Sequence, residues 1–181
     1  RIEKNLQDVP KGTLVVEHHF DKNKEKNLFT ESFQTTIIGK GKMTAYQIFP
    51  GIQLLLNYYH SEQAGFHHDS HAHILEINHC RLGRVGWDFH NGSSVYLGPG
   101  DLALHSMEYC ADSEMTFPLG YCESLSVSLD LAELKNHPLP ILRETSIDLE
   151  QINRTFCRSD KSVALPFSSA INGIFSPMYA A

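Results

Sequence analysis

The sequence predicts a mainly β protein, a barrel or sandwich of short strands followed by two or three helices. From about residue 31 to residue 131, polar and apolar side chains alternate with a period of two, and turn residues interrupt the alternation at short intervals. After Asp130 the apolar residues recur with a helical period instead. Many short strands in one chain pack as a sandwich or barrel, because each strand must bury its apolar face.

Length and composition indicate one globular domain that does not itself grip DNA. The chain has 181 residues, of which 41% are hydrophobic and 20% are charged, and its formal net charge is -6. One hydrophobic core suits this length, and two would be small. Lysine and arginine are scattered along the chain, whereas a duplex-binding domain shows a basic face toward the phosphates.

The remaining compositional features favour a cytoplasmic protein. No apolar run approaches eighteen residues, and the chain opens with charged residues rather than a signal peptide. Four cysteines lie far apart without a CxxC spacing, which predicts reduced thiols and argues against structural zinc. Because the sequence lacks an initiator methionine, we expect it to be part of a longer protein.

Three regions follow from the change of pattern along the chain. Residues 1–30 include the charged run Asp21–Asn27 and are predicted to form a solvated arm. Residues 31–131 are predicted to form the barrel; its clearest strand runs from Tyr121 to Leu131, with three serines on one face and leucine and valine on the other. Asn91-Gly92 predicts a hairpin turn, since both residues tolerate a positive φ.

Residues 132–181 are predicted to be helical. Helices are expected near 130–136 and 148–157, and a further helix after Pro166. That last helix carries an apolar stripe of Phe167, Ile171, Ile174, Phe175 and Met178. The stripe packs either on the outside of the barrel or against a second subunit, and the period alone does not distinguish the two.

Histidine is concentrated in one part of the chain. His67, His68, His71, His73 and His79 fall within thirteen residues. On a strand, His71 and His73 leave the same face, which suits either a metal site or polar contacts to a ligand. Histidines that are solvated or part of the core are the alternative.

Two stretches resemble the sequence motifs of cupins. Gly65, His71-Ala72-His73, Glu76 and Gly83 resemble the first motif, and the run from Tyr96 to Leu102 resembles the turn of the second. In metal-binding cupins, however, the glutamate comes one or two residues later than Glu76, and a histidine stands where this chain has Ala103. His105 follows two residues further on, so these departures argue against a bound metal.

A narrower resemblance is to the N-terminal sensing domain of AraC/XylS-type transcription regulators, in the branch of the pyochelin-responsive activators. It rests on four runs in order, 48–54, 75–84, 96–102 and 117–120, with further agreement at 165–167 and 172–175. The resemblance covers about residues 46–181. It implies a cupin-like double-stranded β-helix, or jelly-roll, barrel that binds an effector, helices that help to form a homodimer, and a downstream helix-turn-helix domain that is not in this chain.

The sequence therefore favours an effector-sensing and dimerisation domain that controls transcription and is not an enzyme. DNA would be contacted only through the absent domain, and no membrane partner is expected. The alternative is a small metal-dependent cupin enzyme, a dioxygenase or an isomerase. A third reading is a scaffold whose barrel is filled by its own side chains.

Five residues are predicted to contact the effector, from their polarity and their positions on strands. They are His71, His73, Trp87, Tyr96 and His105. Trp87, the sole tryptophan, is equally consistent with a plain core residue. Glu76 and Asn78 share a face and either orient the ligand or meet solvent. No catalytic residue, no metal ligand and no cofactor is predicted.

Overall fold

Two β-sheets face each other in the computed structural model, which describes residues 1–19, 34–67, 73–89, 91–108, 112–157 and 162–180. The strands are β1 (Thr13–His19), β2 (Gln34–Ile37), β3 (Lys40–Phe49), β4 (Ile52–His60), β5 (Gln63–His67), β6 (Ile74–Gly83), β7 (Val85–Asp88), β8 (Ser94–Leu97), β9 (Leu102–Ser106), β10 (Asp112–Thr116), β11 (Tyr121–Asp130) and β12 (Val163–Leu165). The mainly β class predicted from the alternation is confirmed.

The helices are short and stand mostly after the barrel. They are α1 (Ile2–Asn5), α2 (Leu131–Asn136), α3 (Pro140–Arg143), α4 (Leu149–Ile152) and α5 (Ser169–Phe175), with a π-helical segment Asn153–Cys157 and a 3₁₀ segment Ser176–Tyr179. Among the described residues, none of these helices has the length and apolar character needed to cross a membrane.

The larger sheet has seven strands in the order β1-β3-β4-β11-β6-β9-β12, and the smaller has five in the order β2-β5-β10-β7-β8. β1 pairs with β3 in parallel, whereas β11 pairs antiparallel with both β4 and β6. The long central strands β4, β6 and β11 therefore lie side by side and present their alternate residues to the same two faces.

The barrel interior and the outer face of the large sheet form two separate hydrophobic cores. The interior core joins apolar residues of both sheets, including Leu55, Trp87, Phe89 and Phe117. The outer core covers the other face of the large sheet, where Leu125 of β11 packs with the terminal helices. Each long strand is thus buried on both faces.

The N-terminal residues differ from the predicted solvated arm. Ile2, Leu6 and Val9 are buried in the outer core, and β1 adds a strand to the large sheet. Three apolar residues spaced along a short polar segment were enough to hold it against the sheet. The charged run Asp21–Asn27, on which the prediction depended, lies outside the described residues.

The predicted helical region is confirmed in outline, with one strand inserted. β12 pairs with β9 at the edge of the large sheet and precedes α5. The apolar stripe is divided: Ile171, Phe175 and Met178 pack in the outer core, whereas Phe167 and Ile174 are exposed. The stripe therefore packs largely on the outside of its own barrel.

Two predicted turns hold the geometry expected of them. Gly92 has a φ of 80° and its amide donates to the Phe89 carbonyl, which closes the loop between β7 and β8. Gly100 has a φ of 87° in the turn before β9, and Asp101 in that turn accepts hydrogen bonds from the amides of Gly98 and Phe167. The turn thereby also fixes the start of the C-terminal segment.

Candidate functional site

A group of polar side chains lies inside the barrel, on the inner face of the large sheet. Its members are Asn57, Asn78, His105, Ser124, Ser126 and Ser128, which we call the polar patch, and each is at most 5% exposed. The serines of β11 alternate with Leu125 and Val127, which pack in the outer core. The strand therefore turns its polar face into the barrel and its apolar face toward the terminal helices.

Hydrogen bonds connect the polar patch across four neighbouring strands. Asn57 Nδ2 donates to Ser126 Oγ at 2.9 Å, and Ser126 Oγ donates to Asn78 Oδ1 at 2.6 Å. Asn78 Nδ2 lies 3.2 Å from His105 Nε2. A buried network of this kind fixes the side-chain rotamers, because each rotation would break a bond in a medium of low dielectric constant.

One acceptor in the polar patch has no protein partner. The Asn57 side chain is 4% exposed, and within the described residues its Oδ1 accepts no hydrogen bond. Leaving such an atom unsatisfied costs about 1–3 kcal/mol, so native proteins rarely do so without a reason. Among the described residues, the Asn57 Oδ1 is therefore the candidate acceptor for a hydrogen-bond donor from a ligand.

The small sheet presents aromatic rings to this patch. The ring centroids of Trp87 and Phe89 lie 5.8 Å and 5.6 Å from that of His105, and both aromatic residues are 6% exposed. His105 Nε2 also lies 4.0 Å from Glu76 Oε2, and Glu76 is directly opposite His105 on the neighbouring strand. The interior therefore combines a polar wall with an aromatic one.

The structure brings together two of the five residues predicted to contact an effector. Trp87 and His105 meet inside the barrel. Tyr96 is 45% exposed on the outer side of the small sheet, where its ring covers Gly86. His73 is exposed just before β6 and lines a different pocket, outside the barrel. His71 lies outside the described residues.

His73 and Tyr96 lie apart from Trp87 and His105, and the alternation of side chains along the strands explains both positions. The even-numbered residues Ile74, Glu76 and Asn78 occupy the inner face of β6. His73 has an odd number and immediately precedes β6, so it lies on the outer side. Val95 and Leu97 take the inner positions of β8, which leaves Tyr96 outside.

Sequence reasoning overlooked Asn57 and did not assign the serines of β11 to a site. The signal was present as three serines on one face, but alternation alone does not say which face lies inside. The usual expectation is that the apolar face is buried and the polar face is solvated. Here the terminal segments cover the apolar face, so the polar face is free to line the interior.

Two buried thiols lie at one end of the interior. Cys80 and Cys122 are free cysteines, each 0% exposed. The hydrogen bond that the protonated Cys122 thiol makes to Cys80, together with burial, raises the pKa of Cys122 and keeps its thiol protonated.

The reverse side of β6 anchors the C-terminal segment. The Tyr179 hydroxyl donates to the His79 carbonyl at 2.8 Å and lies 3.0 Å from His79 Nδ1. The His79 ring stacks on Phe175 with centroids 4.6 Å apart, and Arg81 lies over the Tyr179 ring. Burial lowers the pKa of His79, although Asp101 acts to raise it.

Arg1 and Glu123 connect the two ends of the described chain on the same outer face. The Glu123 carboxylate is 2% exposed and lies 3.1 Å from Arg1 Nε and 3.0 Å from Arg81 Nη1. Arg1 also donates to the carbonyl of Tyr179. Since Glu123 neighbours Ser124 and His79 neighbours Asn78, these anchoring contacts lie directly behind the polar patch.

No group of three or more histidine, cysteine, aspartate or glutamate side chains converges as a metal site among the residues with described positions. Of the two cupin-motif positions that departed from the metal-binding pattern, Ala103 is fully buried in the interior core.

The sequence matches no protein-family model and no curated protein. The fold is similar to a cupin 2 conserved barrel domain protein from Salinispora arenicola CNS-205, with 14% identity and a TM-score of 0.39 over 52% of this chain and 81% of that one. It is also similar to a cupin-like protein from Thermotoga maritima, with 14% identity and a TM-score of 0.40 over 62% and 84% of the chains. For the EutQ protein of Clostridium difficile the identity is 12% and the TM-score 0.39, over 50% and 68%.

Proposed function

We propose that this chain is the effector-sensing domain of an AraC/XylS-type transcription regulator and binds a small molecule on the polar patch without catalysing a reaction. The observation that carries the proposal is the buried Oδ1 of Asn57, which has no hydrogen-bond partner among the described residues, although the Nδ2 of the same side chain donates to Ser126. A ligand that donates a hydrogen bond to this atom would recover the free energy that the empty protein forgoes.

The two walls of the interior define the chemistry of the effector. The patch offers amide, hydroxyl and imidazole groups, whereas Trp87 and Phe89 offer flat apolar surfaces opposite. Binding sites commonly combine an apolar lining with a few fixed polar groups that orient the ligand. The effector is therefore a molecule with a flat or apolar body and at least one N–H or O–H group along one edge.

The regulatory part of the proposal is supported by the four sequence runs described above and by the charge of the chain. A net charge of -6 suits a domain that leaves the phosphates to another part of the protein. The helix-turn-helix domain would follow the C-terminal segment in the complete protein, which would act as a homodimer. His79 follows Asn78 on β6, and its carbonyl accepts the hydrogen bond from Tyr179. An effector bound at Asn78 could therefore shift the position of the C-terminal segment that Tyr179 anchors.

A thermal-shift screen tests the binding function. Siderophores, sugars and fatty acids are added in turn, and an effector raises the melting temperature with concentration as RT ln(1 + [L]/Kd). The hit is then titrated into Asn57→Leu and Ser126→Ala. We expect its affinity to fall at least about tenfold in both, which corresponds to 1.4 kcal/mol. Ser94→Ala, on the exposed side of β8, is the matched control and should bind as the wild type does.

Two results would overturn the proposal. One is a hit whose affinity is the same in Asn57→Leu, Ser126→Ala and the wild type, because the ligand would then lie elsewhere. The other is purification with stoichiometric iron, manganese, nickel or zinc together with turnover that is lost in His105→Ala, which would favour the cupin enzyme.

A further inference from the structure

A pocket of about 270 Å³ lies outside the barrel, where β11 leads into the helices. Its walls come from the residue before β6, from α2 and from α4, and include His73, Leu131, Lys135, Leu149, Glu150 and Asn153. Leu131 and Leu149 belong to a third hydrophobic cluster, distinct from the interior core. The pocket is therefore separate from the polar patch.

A buried amide lines this pocket and is only half satisfied. Asn153 is 7% exposed, and its Nδ2 lies 3.4 Å from His73 Nδ1. Its Oδ1 is buried without a hydrogen-bond partner in the part of the chain that the structure describes. Asn153 is also the first residue of the π-helical segment, a local geometry that is frequent at functional sites.

A pair of opposite charges lies at the same pocket. Lys135 Nζ is 3.3 Å from Glu150 Oε2, and the two side chains are 68% and 35% exposed. An ion pair this exposed contributes little to stability. A ligand with both charges can therefore compete with this contact and pair with each of the two side chains.

The rest of the pocket is apolar. Leu131 and Ala132 of α2 face Leu149 of α4 across it. The capping aspartates hold both helices in place: Asp130 accepts from the first amides of α2, and Asp148 from those of α4. These capping hydrogen bonds fix the starts of the two helices that carry the apolar wall.

We infer that this pocket binds a free α-amino acid with a short apolar side chain. The α-ammonium group donates to Asn153 Oδ1 and Glu150, the α-carboxylate pairs with Lys135, and the side chain packs against Leu131 and Leu149. A simple carboxylic acid would leave Asn153 Oδ1 unsatisfied, and a simple amine would leave Lys135 without a partner. The zwitterion satisfies all three groups at once.

Calorimetric titration with three matched probes tests this site. The probes are L-leucine, 4-methylpentanoate, which is leucine without its ammonium group, and 3-methylbutylamine, which is leucine without its carboxylate. We expect leucine to bind at least about tenfold more tightly than either analogue, since each analogue loses a charge-assisted hydrogen bond. Leucine binding no tighter than both analogues would overturn the inference.

Variants locate the binding. Lys135→Met, on the surface of α2, and Asn153→Leu should each weaken leucine binding at least about tenfold. Lys42→Met is the matched control, because Lys42 forms a comparable ion pair with Glu17 on the far side of the sheet, at 2.7 Å. Undiminished leucine binding by Lys135→Met would also refute the site, and this outcome is independent of the interior ligand, which Asn57→Leu tests.

Discussion

At the scale of single residues, Asn57 and Asn78 lie on either side of β11 in the polar patch but differ in how fully their side chains are hydrogen-bonded. Asn78 receives a hydrogen bond from Ser126 and contacts His105 through its amide nitrogen. Asn57 gives one good hydrogen bond and keeps an unsatisfied acceptor. We therefore expect Asn78 to contribute mainly to the stability of the fold, and Asn57 mainly to the binding of a ligand.

We predict that Asn57→Leu changes the free energy of unfolding by less than about 1 kcal/mol, because it removes an unsatisfied acceptor along with one donor. Asn78→Leu should cost about 1–3 kcal/mol, since it strands the Ser126 hydroxyl and the His105 imidazole. Urea denaturation of both variants measures the difference. Equal losses in the two variants would contradict the distinction.

His79 makes stability depend on pH. Its folded-state pKa is lowered by burial, so the unfolded chain binds a proton more readily than the folded one. The stabilisation is complete above the unfolded pKa of about 6.5 and is lost as the pH falls from there toward the lowered folded pKa. The groups that face or adjoin the His79 ring are Tyr179, Phe175, Arg81 and Asp101. Asp101 acts to raise the pKa of His79, but the effect of burial is larger and the pKa is lowered.

We therefore predict that the melting temperature declines between pH 6.5 and pH 5 by more in the wild type than in His79→Gln. Glutamine keeps a hydrogen-bonding group near the Tyr179 hydroxyl but does not titrate. Differential scanning calorimetry over that range, with both proteins in the same buffers, gives the comparison. Parallel pH profiles would show that His79 is not the titrating group.

At the scale of elements, α5 and the 3₁₀ segment after it are held by two aromatic residues. Phe175 fills the outer core and stacks on His79, and Tyr179 is 1% exposed with its hydroxyl bonded to the His79 carbonyl. Phe175→Ala should cost about 3 kcal/mol and Tyr179→Phe about 1 kcal/mol. Ile174→Ala, at an exposed position on the same helix, should change stability by less than about 0.5 kcal/mol. Chemical denaturation checks all three, and a large loss in Ile174→Ala would mean that a partner covers this face.

The turn before β9 holds the start of the same segment. Alanine at Gly100 would place its Cβ 2.3 Å from the Phe167 ring, in a backbone with a φ of 87°. Gly92 has a similar φ of 80°, but its Cβ would meet no described atom within 4 Å. Gly92→Ala should therefore cost about 1–2 kcal/mol from the backbone alone, and Gly100→Ala more. Faster hydrogen exchange of the α5 amides only in Gly100→Ala would show that the turn positions the helix.

Periodicity in the sequence predicted the strands well, because β11 and β4 keep their alternation over most of their length. It did not predict the arrangement of the faces, since that depends on the terminal segments. Leu125 is buried and Val127 partly buried because residues of α1 and α5 pack against this face of β11. The sequence of β11 alone does not indicate these distant contacts. The interior site was partly predicted for the same reason: Trp87 and His105 were chosen for their polarity, whereas Asn57 acquires its role only from its neighbours across the sheet.

At the scale of the whole molecule, both ends of the described chain lie on one outer face, where Arg1 pairs with Glu123 and donates to the Tyr179 carbonyl. We predict that this chain alone does not bind duplex DNA at 150 mM salt, since its net charge of -6 leaves phosphate repulsion uncompensated. Fluorescence anisotropy with a labelled duplex, repeated at lower salt, gives the measurement. Retention of DNA with a steep salt dependence would place the contact within this chain and contradict the proposed division of labour.

The chain's only tryptophan is Trp87, and it lies in the barrel interior beside His105. Indole emission depends on the polarity of its surroundings, so the ultraviolet fluorescence of the whole protein reports from this one position. We expect a molecule that enters the interior to change that signal, and an amino acid bound between α2 and α4, as proposed, to leave it constant. The protein would therefore carry its own optical probe, which distinguishes the two proposed binding sites without a label.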